Sequence, residues 1–197
     1  MKKIGLLFCI IVQSLSSFSQ QNELVTFEKQ KANITKKSML VLGGWSAANI
    51  IVSAFATKTN NDEMHYFHQM NVQWNSINLL FAALGYWGAD LQKNGKGTLA
   101  SVLKHQGGTE KTYILNLGLD VGYIAVGLYL TERSKSRKKP AVLKGYGNAI
   151  MFQSAFLLLY DAANYFIHRK HGKKLDKMLD KVQLSGGIGG VALTYNF

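Results

Sequence analysis

The chain has 197 residues, enough for one domain, and with 47% hydrophobic and 17% charged residues it is not an intrinsically disordered polymer. One proline and one cysteine exclude a proline-rich chain, a disulfide framework and a cysteine-based zinc site. The net charge of +12 implies attraction to anionic surfaces, without specifying which.

Lys2 and Lys3 precede an apolar stretch over 4–12 and a small polar region over 14–19. That is the order of charge, core and cleavage site in a secretory signal peptide. The stretch is too short to span a bilayer, which takes roughly 20 residues. Ser17 and Ser19 suit the small-residue positions before a cut. Residues 1–19 are therefore expected to be a signal peptide, and residues 20–37 a polar N-terminal segment. Cys9 follows Phe8 inside the apolar run, which does not fit a lipoprotein signal.

Four apolar segments follow, over 39–56, 72–90, 113–130 and 149–167. The first, third and fourth have the length of a spanning helix with hardly a charge inside, and the second spans if its asparagines face inward. Trp74, Tyr86, Trp87, Tyr113, Tyr129, Tyr146 and Tyr165 sit near segment ends, as in interfacial aromatic belts. Gly43, Gly44, Gly85, Gly88, Gly118, Gly122 and Gly127 recur within the runs and permit close helix approach in lipid. Alternation at Leu115, Leu117, Leu119, Val121 and Tyr123, and again at Val191, Leu193, Tyr195 and Phe197, has the period of a strand. The segments over 77–89 and 149–167 lack it, and a β-barrel needs it in nearly every strand.

The predicted fold is all-α. It is a four-helix transmembrane bundle over 38–168, with a basic tail over 169–197 comprising a short amphipathic C-terminal helix and a Gly-rich extended end. Thr98 is expected to cap a short amphipathic helix ending near Gly107, and Pro140 to break any helix running through the third connector. Leu175, Met178, Leu179 and Val182 fall at helical spacing in the tail.

The connectors are basic, most of all around Arg133, Lys135, Arg137, Lys138, Lys139 and Lys144. With no interleaved aromatic to stack a base, the expected partners are anionic lipid headgroups and no nucleic acid. A homo-oligomer or another membrane partner stays open. Orientation is in conflict: a cleaved signal puts the more basic side outside, whereas positive residues favour the cytoplasm. The inner membrane is expected over the outer.

Polar residues inside the runs are the functional candidates. His68, Asn71, Asn75 and Asn78 share one helical face, Asn116 and Asp120 are four apart, and Asp161 follows Gln153 by about two turns. Intramembrane carboxylates are costly and face bundle interiors. These eight residues are expected to point into one interior, either as a structural hydrogen-bond network or as a site for a proton, cation or polar ligand. The pairs His65/His68 and His168/His171 have ligand spacing, but the topology puts them at opposite membrane faces as headgroup-level polar residues, so no metal or other cofactor is expected. No phosphate loop or nucleophile elbow occurs, and Leu119-Asp120-Val121-Gly122 is not an intramembrane protease motif. The reading leans away from an enzyme, towards a non-enzymatic binding or structural membrane component. The alternative is a small transporter or ion-coupled carrier using Asp120 and Asp161.

Phe67-His68-Gln69-Met70-Asn71, Trp74-Asn75 and Asn78, Leu119-Asp120-Val121-Gly122-Tyr123, and Gln153 followed by Phe156 through Asp161 resemble a group of small uncharacterised multi-span membrane proteins of Bacteroidota. The resemblance covers about residues 40–170. It implies a helical membrane protein and no known activity.

Overall fold

A computed structural model describes residues 2–91, 93, 97–180, 182–187 and 190–195, with side chains described between 21 and 180. Four helices, α1 (Lys2–Ala56), α2 (Asp62–Leu91), α3 (Leu99–Ser134) and α4 (Pro140–Asp180), precede a hairpin of β1 (Val182–Gly187) and β2 (Gly190–Tyr195). The hairpin is antiparallel, with Val182 opposite Tyr195 and Gly187 opposite Gly190. Ile188, Gly189, Asn196 and Phe197 lie outside the described residues.

Local chemistry sets the helix starts. The Asn61 side chain accepts from Met64 N at 3.1 Å, and Asp62 and Glu63 add negative charge to the first turn of α2. Thr98 caps α3 by accepting from Ser101 N at 3.3 Å. Pro140 opens α4, where its missing N–H would have no helical partner anyway.

Several boundaries differ from the sequence expectation. The helix begun at Thr98 does not end near Gly107; it runs on to Ser134, because Val102, Gln106 and Tyr113 continue one buried face through the glycines. The amphipathic stretch near Leu175 is the end of α4 and not a separate helix. Residues 21–37 are helical, with Leu24, Phe27, Lys31 and Ala32 buried along one side. Residues 115–123, with their strand-like alternation, lie inside α3.

Packing runs in the order α1, α2, α4, α3. Helix α2 ends beside α1 at the Lys36–Asp90 ion pair. The other three helices continue past that level and close around Leu24, Phe27, Val102 and Leu175, with Leu99, Leu103 and Met178 packed alongside. This three-helix portion is called the extension below.

In the four-helix part the usual burial pattern is inverted. Asn71, Asn75, Gln153, Ser154, Asp120, Asp161 and Asn164 are buried, while Leu40, Val52, Phe55, Leu80, Leu84, Trp87, Leu115, Leu159 and Phe166 are exposed. Among the described residues three helical stretches, Gln21–Ala56, Leu99–Ser134 and Pro140–Asp180, are long and apolar enough to cross a membrane. Helix α2 is outside that set, since Asn71, Gln73, Asn75 and Asn78 lower its hydropathy although its outer face carries Ile77, Leu80, Phe81 and Leu84.

Candidate functional site

The eight polar candidates separate into two places. The first is a closed seam between α1, α2 and α4. Gln153, wholly buried, accepts from Trp45 Nε1 at 2.9 Å and donates to Asn71 Oδ1 at 2.7 Å and Asn49 Oδ1 at 3.2 Å. Asn75 donates to the Asn71 carbonyl at 2.9 Å, and His68 Nδ1 lies 3.2 Å from Ser53 Oγ. The Trp45 ring lies flat on Phe156, with centroids 3.9 Å apart. His68, Asn71, Asn75 and Gln153 therefore serve the join between three helices.

The second place is a cleft of about 640 Å³ between α2 and α3, floored by α1 and α4. It holds the other four candidates, Asn78, Asn116, Asp120 and Asp161. Asn78 is seven residues beyond Asn71, so it keeps the same face but lies about 10 Å further along the axis. At one end Trp74 and Tyr123 close the cleft edge to face, with centroids 5.0 Å apart. At the other, Gly85, Thr109 and Thr112 line it. The rim residues Ile77, Phe81 and Leu119 are exposed, so the cleft opens on the apolar outer surface.

The floor is polar. Asp120 and Asp161 meet there, and Asn116 also approaches the Asp161 carboxyl. The Tyr160 hydroxyl lies 2.6 Å from Ser38 Oγ. Among the described residues, Trp74 Nε1, Asn78 Nδ2 and Asp120 Oδ2 have no hydrogen-bond partner. Two donors and one acceptor thus lie buried on residues that line one apolar-walled cleft, and buried polar groups left this way each carry a desolvation cost of about 1–3 kcal/mol.

Sequence reasoning missed the aromatic frame. Trp74, Tyr113 and Tyr160 line the cleft with the polar residues. Tyr113 precedes Asn116 by three and Asp120 by seven, so its helical register was a usable signal.

A further buried polar cluster lies in the extension. His168 and His171 are 0% and 5% exposed, enclosed between helices. His168 stacks on Tyr113, and His171 stacks on Phe27 at 4.1 Å. Lys31, also buried, donates to the His105 carbonyl at 3.1 Å, and Gln106 Nε2 donates to the His168 carbonyl at 2.7 Å. Burial holds both imidazoles at a pKa of about 4, and the Lys31 charge adds to the effect at each. Burial also lowers the pKa of Lys31, against the pull of Glu28 and Glu110. His65, by contrast, bonds the Thr57 carbonyl at the far end of the bundle. No group of three or more His, Cys, Asp or Glu suited to a metal ion is present among the described residues.

A family model described as a family of unknown function, DUF6992, matches residues 41–162. The matched segment holds all eight candidates and stops short of His168. No curated protein and no solved structure matches the chain.

Proposed function

Since this chain belongs to a family of unknown function, DUF6992, we propose its role from its geometry: a non-enzymatic, membrane-embedded binding protein whose α2–α3 cleft holds a single-chain amphipathic molecule by its polar head. One observation carries the reading. Trp74, Asn78 and Asp120 line an apolar-walled cleft, and each carries a buried polar atom, Nε1, Nδ2 and Oδ2, that has no hydrogen-bond partner among the described residues. A hydroxyl-bearing head supplies the acceptor for the two N–H groups and the donor for the carboxyl oxygen, while an alkyl chain leaves past Ile77, Phe81 and Leu119. The volume falls in the range of small-molecule sites.

The inverted burial supports a lipid surround, because exposed apolar area on this scale marks a membrane or partner surface. In this reading four spans over 39–56, 72–90, 113–130 and 149–167 cross the inner membrane after the signal over 1–19 is removed. Lys36, Lys37, Lys93, Lys111, Arg169 and Lys170 then ring one headgroup level, where anionic lipids are favoured.

Native mass spectrometry of the full chain released from nanodiscs tests the proposal. A retained monoacyl lipid is expected, lost in Leu119→Trp, where the indole fills the cleft. An empty protein that also fails to take up added monoacylglycerol sinks the reading. A second reading rests on the contact between Asp120 and Asp161, which also suits an ion-coupled carrier. It requires proton or sodium flux in proteoliposomes that Asp120→Asn abolishes.

A further inference from the structure

We infer that the extension is an acid-labile clasp: α1 stays packed on α3 and α4 while His168 and His171 are uncharged, and it separates when they take up protons. Both rings are buried, and none of their four nitrogens has a hydrogen-bond partner among the described residues. Phe27 from α1 covers His171 and Tyr113 from α3 covers His168, so neither ring faces an acceptor on its stacked side. An imidazolium needs two acceptors for its N–H groups. Here each new charge appears beside the buried ammonium of Lys31 instead.

The charged groups around the pair do not compensate. From α1 come Lys31 and Glu28, from α3 Glu110, and from α4 Arg169 and Lys174. Glu28 and Glu110 act on Lys31, and Glu110 also accepts from Gln106 and pairs with Arg169 at 3.3 Å. Lys174 repels a charge on His171. Stacking of a cation on Tyr113 returns only a part of the loss. A metal ion is no better suited to the pair, since the Lys31 charge acts on both rings.

In the opened extension both imidazoles return to the ordinary histidine value of about 6.5, whereas packed they stay near 4. Histidines held low in the packed state favour packing fully above the open-state value, and that preference is lost as pH falls towards 4. For two such groups the opening constant rises on the order of 10³-fold between pH 8 and pH 5. The core of Leu24, Phe27, Val102 and Leu175 is small enough for such a change to be decisive.

The test is double electron–electron resonance on the protein in nanodiscs, with spin labels at Lys29→Cys on α1 and Lys173→Cys on α4, and with Cys9→Ser where residues 1–19 are retained. A narrow distance distribution at pH 8 is expected to lengthen and broaden by pH 4.5, reversibly. A control pair at Val41→Cys and Leu159→Cys should not move. H168Q/H171F, which removes both titrating groups and keeps a ring on Phe27, should stay narrow at both pH values. A wild-type distribution unchanged at pH 4.5 overturns the clasp, and so does a double variant that opens as the wild type does. Should the double variant fail to fold, histidine NMR titration decides. Both rings titrating below pH 5.5 or together with the opening supports the clasp, and either titrating near 6.5 with α1 still packed overturns it.

Discussion

The α1–α2–α4 seam and the α2–α3 cleft use the same vocabulary of tryptophan, asparagine and an acidic or amide side chain, but they spend it differently. In the seam, Gln153 joins Trp45, Asn49 and Asn71 within 3.2 Å, and the aromatic stack of Trp45 on Phe156 seals the join. Along the cleft, Trp74 Nε1, Asn78 Nδ2 and Asp120 Oδ2 have no hydrogen-bond partner among the described residues. Each set mixes buried residues with half-buried ones, Asn71 and Gln153 beside Trp45 and Asn49 in the seam and Asp120 beside Trp74 and Asn78 in the cleft, so burial alone does not separate a polar residue that holds helices together from one that awaits something else. What differs is the bonding across helices: Gln153 makes three such bonds in the seam, although Asn75 Oδ1 there also has no partner among the described residues, whereas Trp74 Nε1, Asn78 Nδ2 and Asp120 Oδ2 make none. The cleft exists because α3 is committed elsewhere, packing along α4 and touching α2 at the Trp74–Tyr123 contact.

That commitment is the first place to break the comparison. At the α3–α4 crossing Gly127 and Gly147 face each other. A Cβ on Gly147 would sit 2.5 Å from Thr131 Oγ1 and 2.7 Å from the Gly127 carbonyl. Backbone cannot yield as a flexible side chain can, so Gly147→Val should cost about 3 kcal/mol or more and collapse seam and cleft together. Thermal unfolding in nanodiscs measures it; an unchanged midpoint would mean that α3 is held by something other than this crossing.

Within the seam, Gln153→Leu removes three hydrogen bonds and strands Trp45 Nε1 and the Asn71 oxygen. Side-chain bonds in membranes average only about 0.6 kcal/mol each, but leaving groups unpaired adds to that, so a loss of about 1–3 kcal/mol is expected. Ligand retention, corrected for the folded fraction, should not change. If Gln153→Leu is as stable as the wild type by chemical denaturation, the seam is not the structural half of the pair.

The four helices were legible because long apolar runs leave few alternatives, and the Thr98 and Pro140 signals fell at true helix starts. Helix continuity was not legible. Two glycines at Gly107 and Gly108 cost a helix roughly 1 kcal/mol each, which reads as an end, yet a Cβ at either meets nothing, so no packing forces a break. The single inward face was half legible. Spacing put Asn71, Asn75 and Asn78 together, but which neighbour each meets depends on height along the axis, and periodicity carries no information about height. His168 and His171 were hidden for another reason: the residues that cover them, Phe27 and Tyr113, come from helices far away in sequence.

The smallest expected effect on stability is the sharpest test of the difference. Asp120→Asn exchanges one oxygen for an amide nitrogen of nearly the same shape, in a residue whose Oδ2 has no partner to lose among the described residues. Asp120 is 3% exposed, so the swap also removes a titratable group from a buried place without opening a cavity. Stability should therefore move by no more than about 0.5 kcal/mol in either direction. Asp161→Asn should cost more, because both Asn116 and Asp120 address that carboxyl. Binding should separate the two readings of the site. Turning an acceptor towards the ligand's hydroxyl into a possible donor leaves one bond unmade, which weakens retention about tenfold, or about 1.4 kcal/mol. The check is competition of labelled monoacylglycerol from the folded variant. Unchanged affinity at unchanged stability would put Asp120 with the seam residues, as a polar group the bundle tolerates and the ligand does not touch.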